Sequence, residues 1–199
     1  MSTALPSSRR SARGALAALA CASLALGPAP ARAVPAQVRI IPESELNFGT
    51  FMVFGPGSRT VSASGAVSDV SIVDLEGNTP APARFTVLYD RGNNSRQVLD
   101  IEIELVMSPS VPVRVAGVRG ELSAFETDLP QALRIEPGRP IRISLPNCRT
   151  RVCSKSFQLG ARLDVDRQFG GASLAIPIPF DATVISDDRQ NPGQGNGRP

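Results

Sequence analysis

From Leu99 onward, apolar and polar residues alternate: Leu99, Ile101, Ile103, Leu105 and Met107 fall on one side of an extended chain, Asp100, Glu102 and Glu104 on the other. A side-chain period of two belongs to a strand with one buried and one solvated face; a helix would scatter the same residues around its surface. The alternation returns from Phe157 to Val165, where Phe157, Leu159, Ala161, Leu163 and Val165 oppose Gln158, Gly160, Arg162 and Asp164. It returns once more along Leu174, Ile176, Ile178, Phe180, Ala182 and Val184, which reads as one closing strand. Shorter extended stretches are expected over 37–41, 47–54, 59–63, 67–75, 83–90, 111–118, 121–125, 133–136 and 141–145. Turn signals separate them: Gly55-Pro56-Gly57, Glu76-Gly77-Asn78-Thr79-Pro80, Arg91-Gly92-Asn93-Asn94, Pro137-Gly138 and Gly170-Gly171. Many short strands at near-regular spacing, with no sustained helical period beyond the amino-terminal segment, predict an all-β fold: an antiparallel β-sandwich of immunoglobulin-like type. Its core is expected from Phe48, Phe85, Ile101, Ile103, Leu105, Phe157, Leu159, Leu163, Ile176, Ile178 and Phe180.

Two prolines qualify the closing strand. Residues of equal parity send their N–H groups to the same lateral side, so Pro177 and Pro179 delete two donors from one edge. The strand therefore belongs at a sheet edge or at a break in pairing.

The first residues are expected to lie outside the fold. Arg9, Arg10 and Arg13 precede an apolar run over 14–27, and small residues with proline follow up to Ala33. This is the pattern of a secretory signal peptide with cleavage between Ala33 and Val34. The 14-residue run is shorter than the roughly 20 residues of a membrane-spanning helix. The organisation is therefore a signal peptide over 1–33, one sandwich domain over 34–186 and a polar, disordered tail over 187–199. The full chain carries 21 basic and 18 acidic side chains, a net charge of +3. Four of the basic residues lie in the leader, which holds no acid, so 17 basic residues remain against 18 acidic. Nucleic-acid binding through overall basicity is thereby excluded.

Composition removes most catalytic centres. The chain has no His and no Trp, a single Tyr and three Cys, so a Ser-His-Asp triad, a Cys-His dyad and a His-ligated zinc cannot be built. Asp100, Glu102 and Glu104 stand side by side along a strand and read as a solvated face, whereas calcium wants oxygens converging from loops. A glycosidase pair drawn from the same acids lacks the aromatic platforms that sugar sites use. No catalytic residue, cofactor or metal is expected. Beyond the leader, Cys148 and Cys153 are separated by four residues and are expected to close a small disulfide loop in an oxidising compartment. The spacing is not that of a CxxC redox motif.

Charge is segregated along the chain. Residues 34–128 hold 7 basic and 12 acidic side chains, whereas 129–163 hold 7 basic residues against Glu136 alone. Arg139, Arg142, Arg149, Arg151 and Lys155 are therefore a candidate basic patch around the disulfide loop, suited to an acidic face of another copy or to an anionic surface glycolipid. Ordinary outward strand positions explain the same residues.

Three stretches also resemble a known family. Leu46-Asn47-Phe48-Gly49, Ala83-Arg84-Phe85-Thr86-Val87, and Phe157-Gln158-Leu159-Gly160-Ala161-Arg162-Leu163 followed by Gly170-Gly171 and a terminal alternating strand are similar to the bacterial domain-of-unknown-function 4402 family. Its members are small exported proteins whose layout is similar to spore coat protein U and pilin-like adhesin domains. The resemblance implies a pilin-like sandwich, no catalytic residues, and an exported structural or adhesive protein of the periplasm or cell surface assembling through β-strand addition. Val34, Ala36, Val38 and Ile40 alternate ahead of Pro42 and are the candidate strand donor; the alternative places them in the first strand of their own sandwich. A self-contained periplasmic binding or accessory module is the second reading of function. Partners are then copies of the chain or other surface subunits, with no nucleic acid and no membrane span after cleavage.

Overall fold

The computed structural model of the protein describes residues 35–115, 118–166 and 170–189. Among them are eleven strands and no helix: β1 (Gln37–Ser44), β2 (Leu46–Val61), β3 (Val67–Asp74), β4 (Ala83–Asp90), β5 (Leu99–Met107), β6 (Val113–Val115), β7 (Val118–Thr127), β8 (Pro140–Cys148), β9 (Val152–Asp166), β10 (Gly170–Ile176) and β11 (Phe180–Arg189). All pairings are antiparallel. A three-stranded sheet runs β11-β5-β8; the larger sheet runs β1-β4-β9-β2-β10, with β3 on β2, β7 on β9 and β6 on β7.

The long strands β2 and β9 organise the larger sheet. Leu159 pairs with Ala83 of β4 and Thr127 of β7, and Arg162 pairs with Thr60 of β2 and Ser123 of β7. A strand has two lateral sides, so β4 and β2 follow one another along the same side of β9, opposite β7. They change over at Gly160, where an added Cβ would strike the Val61 carbonyl oxygen and the backbone of Ser62 and Ala63. Glycine is required by that close backbone approach.

The two sheets meet face to face in one β-sandwich core. Ile101, Ile103, Leu105 and Ile143 of the smaller sheet are buried with Phe48, Val87, Phe157, Leu159 and Leu163 of the larger one. Phe85, Phe157 and Phe180 join the layers directly: Phe85 and Phe157 stack at 5.4 Å between centroids, and Phe180 meets them edge-on at 5.0 and 5.7 Å. Such rings contribute about 0.5–1.5 kcal/mol per pair beyond their buried area. The expected core is found, with Phe180 half-buried.

Several expected boundaries move. The closing run is two strands in different sheets: Ile176 is the last β10 residue paired with β2, and Phe180 is the first of β11 paired with β5. Pro177 and Pro179 mark a break in pairing, and the chain uses it to cross from one sheet to the other while its apolar side stays on the common core. Gly55-Pro56-Gly57 is not a hairpin turn but a bulge inside β2, where the register to β3 jumps from Val53–Ile72 to Ser58–Val70. A Cβ on Gly57 would lie 2.7 Å from the Val70 oxygen, so its absence lets the two strands rejoin.

Residues 133–136 do not form a strand. Thr127 Oγ1 donates to the Ala132 oxygen at 2.6 Å and Ile135 N donates to the Phe125 oxygen at 3.1 Å, folding this stretch onto β7 as a tight loop. The stretch expected over 111–118 gives β6 and the start of β7. Asp187, Asp188 and Arg189, expected in a disordered tail, instead belong to β11 and pair with Ile101, Asp100 and Leu99. The expected signal peptide over 1–33 and residues 190–199 lie outside the described residues.

Candidate functional site

The crossover between β10 and β11 forms one wall of an open cleft of about 810 Å³. Ile176 and Ile178 turn inward while Pro177 and Pro179 lie exposed, and residues 177–179 take part in neither strand register. Ser108 N donates to the Pro179 oxygen at 3.0 Å, which ties the crossover to the chain leaving β5. The second wall is that outgoing chain, Pro109 to Val113, where Val111 is 79% exposed. The third is the end of β1. Its register slips between Pro42 and Ser44, and the bulged Glu43 accepts a short hydrogen bond from Thr86 Oγ1 and pairs with Arg84 Nε at 2.9 Å. Phe85 forms the floor and belongs to the aromatic cluster, so the cleft opens directly onto the inter-sheet core.

Chemically the cleft is a mostly apolar surface with a few polar groups. Its lining is proline, branched aliphatic and phenylalanine side chains, with the hydroxyls of Ser44 and Ser110 and the carboxylates of Glu43 and Glu45 as the polar groups. Among the described residues, no group of three or more Cys, Asp or Glu is placed to hold a metal ion.

The disulfide joins Cys148, at the end of β8, to Cys153 in β9, with Cα atoms 5.9 Å apart. It therefore links the two sheets. The basic residues do not gather around it as a single patch. Arg139 precedes β8 and Arg149 follows it, so at about 3.3 Å per residue they stand roughly 30 Å apart. Arg139 pairs with Glu136 at 3.1 Å, and Arg142 sits across from Glu104 on β5. Arg149, Arg151 and Lys155 stay near the loop, where Arg151 Nε pairs with Asp90 at 3.1 Å. The Gly92 N–H and then Arg151 hold the Asp90 carboxyl below its ordinary range.

Of the candidate strand-donor residues, Val38 and Ile40 lie in a strand of this chain, Ala36 precedes it, and Val34 lies outside the described residues. Residues 37–44 are β1, paired with β4 from Gln37–Asp90 to Ser44–Arg84; Val38 and Ile40 pack half-buried on the core and Ala36 is exposed. The cleavage position Ala33–Val34 lies outside the described residues. The carboxylate row lies on the outer face of β5, where Asp100 Oδ1 accepts from Asn147 N at 2.8 Å.

Two buried arginines carry no signal in the sequence. Arg59, fully buried, binds Asp69 at two points, lies 3.0 Å from Asp74, and stacks over Phe51 at 5.3 Å. Arg91, 4% exposed, uses Nη1 on the Ser95 and Gln97 oxygens and Nη2 on the Cys148 oxygen. Both look like surface residues because arginine usually is one, and only the neighbouring strand or loop supplies their partners.

No curated protein and no solved structure matches the chain. A family model described as a domain of unknown function, DUF4402, matches residues 38–173, a span running from β1 into β10. With more than half its length matched, the chain belongs to the DUF4402 family.

Proposed function

We propose that this protein is an exported structural or adhesive component of a bacterial surface, without catalysis, that engages a partner subunit in the cleft between its sheets. The observation that carries this reading is the crossover at Pro177-Ile178-Pro179. It leaves an apolar cleft open at the edge of the core, beside a backbone segment in neither ladder. Such a place suits an extended apolar segment that fills the side-chain pockets along the cleft. Export is supported by the charged and apolar leader and by the disulfide.

The test is a size and fibre assay on the purified protein, with and without Val111→Asp. Val111 is exposed, so the substitution should leave stability within about 0.5 kcal/mol. Concentration-dependent assembly that the substitution abolishes supports the proposal. A second reading, a self-contained binding or accessory module of the periplasm, is favoured by the pairing of β1 with its own β4. A protein that stays monomeric at every concentration decides for it.

A further inference from the structure

The Cys148–Cys153 bridge is asymmetric. Cys148 is 2% exposed, and Arg91 Nη2 donates to its carbonyl oxygen at 2.9 Å and stands 4.0 Å from its Sγ. The bonds from Arg91 Nη1 to the Ser95 and Gln97 oxygens, at 2.6 and 3.0 Å, fix that guanidinium in place. Cys153 is half-buried on the same side of β9 as Lys155; both cysteines border an open groove of about 330 Å³ with Thr150 and Lys155, and Cys153 is the more exposed of the two.

Thiol–disulfide exchange proceeds by attack of a thiolate on one sulfur, and the other sulfur leaves as a thiolate. Cys148 is almost fully covered where it borders the groove, so the greater exposure of Cys153 favours attack there. A fixed cation beside Cys148 favours that sulfur as the leaving thiolate. Both effects point the same way.

We propose that this bridge is a thiol-addressable modification site of fixed polarity: a small external thiolate attacks Cys153 Sγ in the groove and expels Cys148 as a thiolate beside Arg91. One S–S bond forms between the incoming sulfur and Cys153. The Cys148–Cys153 bond breaks with its electron pair on Cys148, so the mixed disulfide keeps the oxidation level of the bridge. Return of the Cys148 thiolate onto Cys153 expels the small thiol and restores the bridge. Lys155 at the groove favours an anionic thiol such as glutathione. Because the bridge links β8 of one sheet to β9 of the other, the exchange uncouples the sheets at this end. This inference is independent of the role proposed for the cleft.

The test treats the intact folded protein with reduced glutathione, quenches with acid, alkylates free thiols with N-ethylmaleimide and maps tryptic peptides. Cleavage at Arg149 and Arg151 places the two cysteines on separate peptides. Glutathione on Cys153 and maleimide on Cys148, in about tenfold excess over the reverse arrangement, is the expected result. Equal or reversed labelling overturns the proposal, as does a bridge that exchanges only in denaturant. Lys155→Gln should slow exchange with glutathione about threefold and leave the cationic thiol cysteamine unslowed. Equal slowing of both reagents overturns the role of Lys155.

Discussion

Arg59 and Asp69 stand directly opposite each other in the β2–β3 ladder and form a two-point ion pair, Nε to Oδ1 at 2.7 Å and Nη2 to Oδ2 at 2.8 Å. The arginine side chain is fully buried, and its Nη1 also donates to the Phe48 oxygen at 2.9 Å. Burial pushes the guanidinium down, but bonding and charge from Asp69 and then Asp74 raise it overall, so it stays charged. The pair anchors β3, an edge strand whose Val67, Val70 and Val73 are exposed. Carboxylates turned toward the core are one way an edge strand is kept from pairing with another chain.

Removing the two acids should therefore have unequal effects. Asp69→Ala leaves a buried cation poorly compensated and should cost about 3 kcal/mol. Asp74, with 65% of its side chain exposed, is screened by water, and Asp74→Ala should cost under about 1 kcal/mol. Urea unfolding of both variants reads the difference, and light scattering should show Asp69→Ala aggregating through the freed β3 edge. Equal costs would mean that Asp69 does not anchor the strand.

Tyr89 is the sole tyrosine in a chain without tryptophan, so its phenolate absorbance can be followed alone. Burial raises its pKa above the ordinary value of 10.0, and the Asp187 charge and hydrogen bond, at 3.4 Å, add to this. A raised folded-state value means that the phenol's contribution to stability is fully present below the unfolded pKa and is lost as pH climbs through the folded one. Alkaline titration should give a midpoint above that of free tyrosine, and Asp187→Asn should move it back part of the way. A midpoint unchanged by Asp187→Asn would remove Asp187 as a cause.

Gly160→Ala should destabilise the protein by at least about 2 kcal/mol, because the new methyl meets backbone atoms of 61–63 that no rotamer change can move. Gly138→Ala is a useful contrast: nothing lies near its Cβ, and the cost there comes from its φ of +77° alone. Thermal unfolding of both separates close approach from backbone strain. A milder effect at Gly160 than at Gly138 would contradict the changeover from β4 to β2 at that residue.

Around the disulfide, the arginine should matter more than the bridge. Replacing both cysteines by serine opens a loop with a sequence separation of 5, which corresponds to about 2 kcal/mol of chain entropy. Arg91→Met orphans the oxygens of Ser95, Gln97 and Cys148 together and should cost about 3 kcal/mol or more. Equilibrium unfolding of the two variants side by side gives the order, and the reverse order would assign the loop's shape to the bridge.

The alternation along Leu99–Met107 and Phe157–Val165 was enough to place each residue of those strands on its face, because a strand's period is a local property of the backbone. The Cys148–Cys153 pair was legible for a similar reason, since five residues in a turn cannot separate far. The proline pair showed where the closing strand loses its ladder, but not that the chain crosses there between sheets. The basic patch failed as a unit because sequence proximity says nothing about which end of β8 a side chain occupies. Arg59 and Arg91 were invisible, because their partners lie on another strand or in another loop. What the sequence by itself determined is therefore the class of fold, most of the core and the cross-link, all governed by short-range periodicity and chain connectivity. What only the tertiary structure decided is the cleft, the pairing of β1 with β4, and the two buried cations, because each depends on which strands become neighbours, and that choice is made by the whole chain closing around one core.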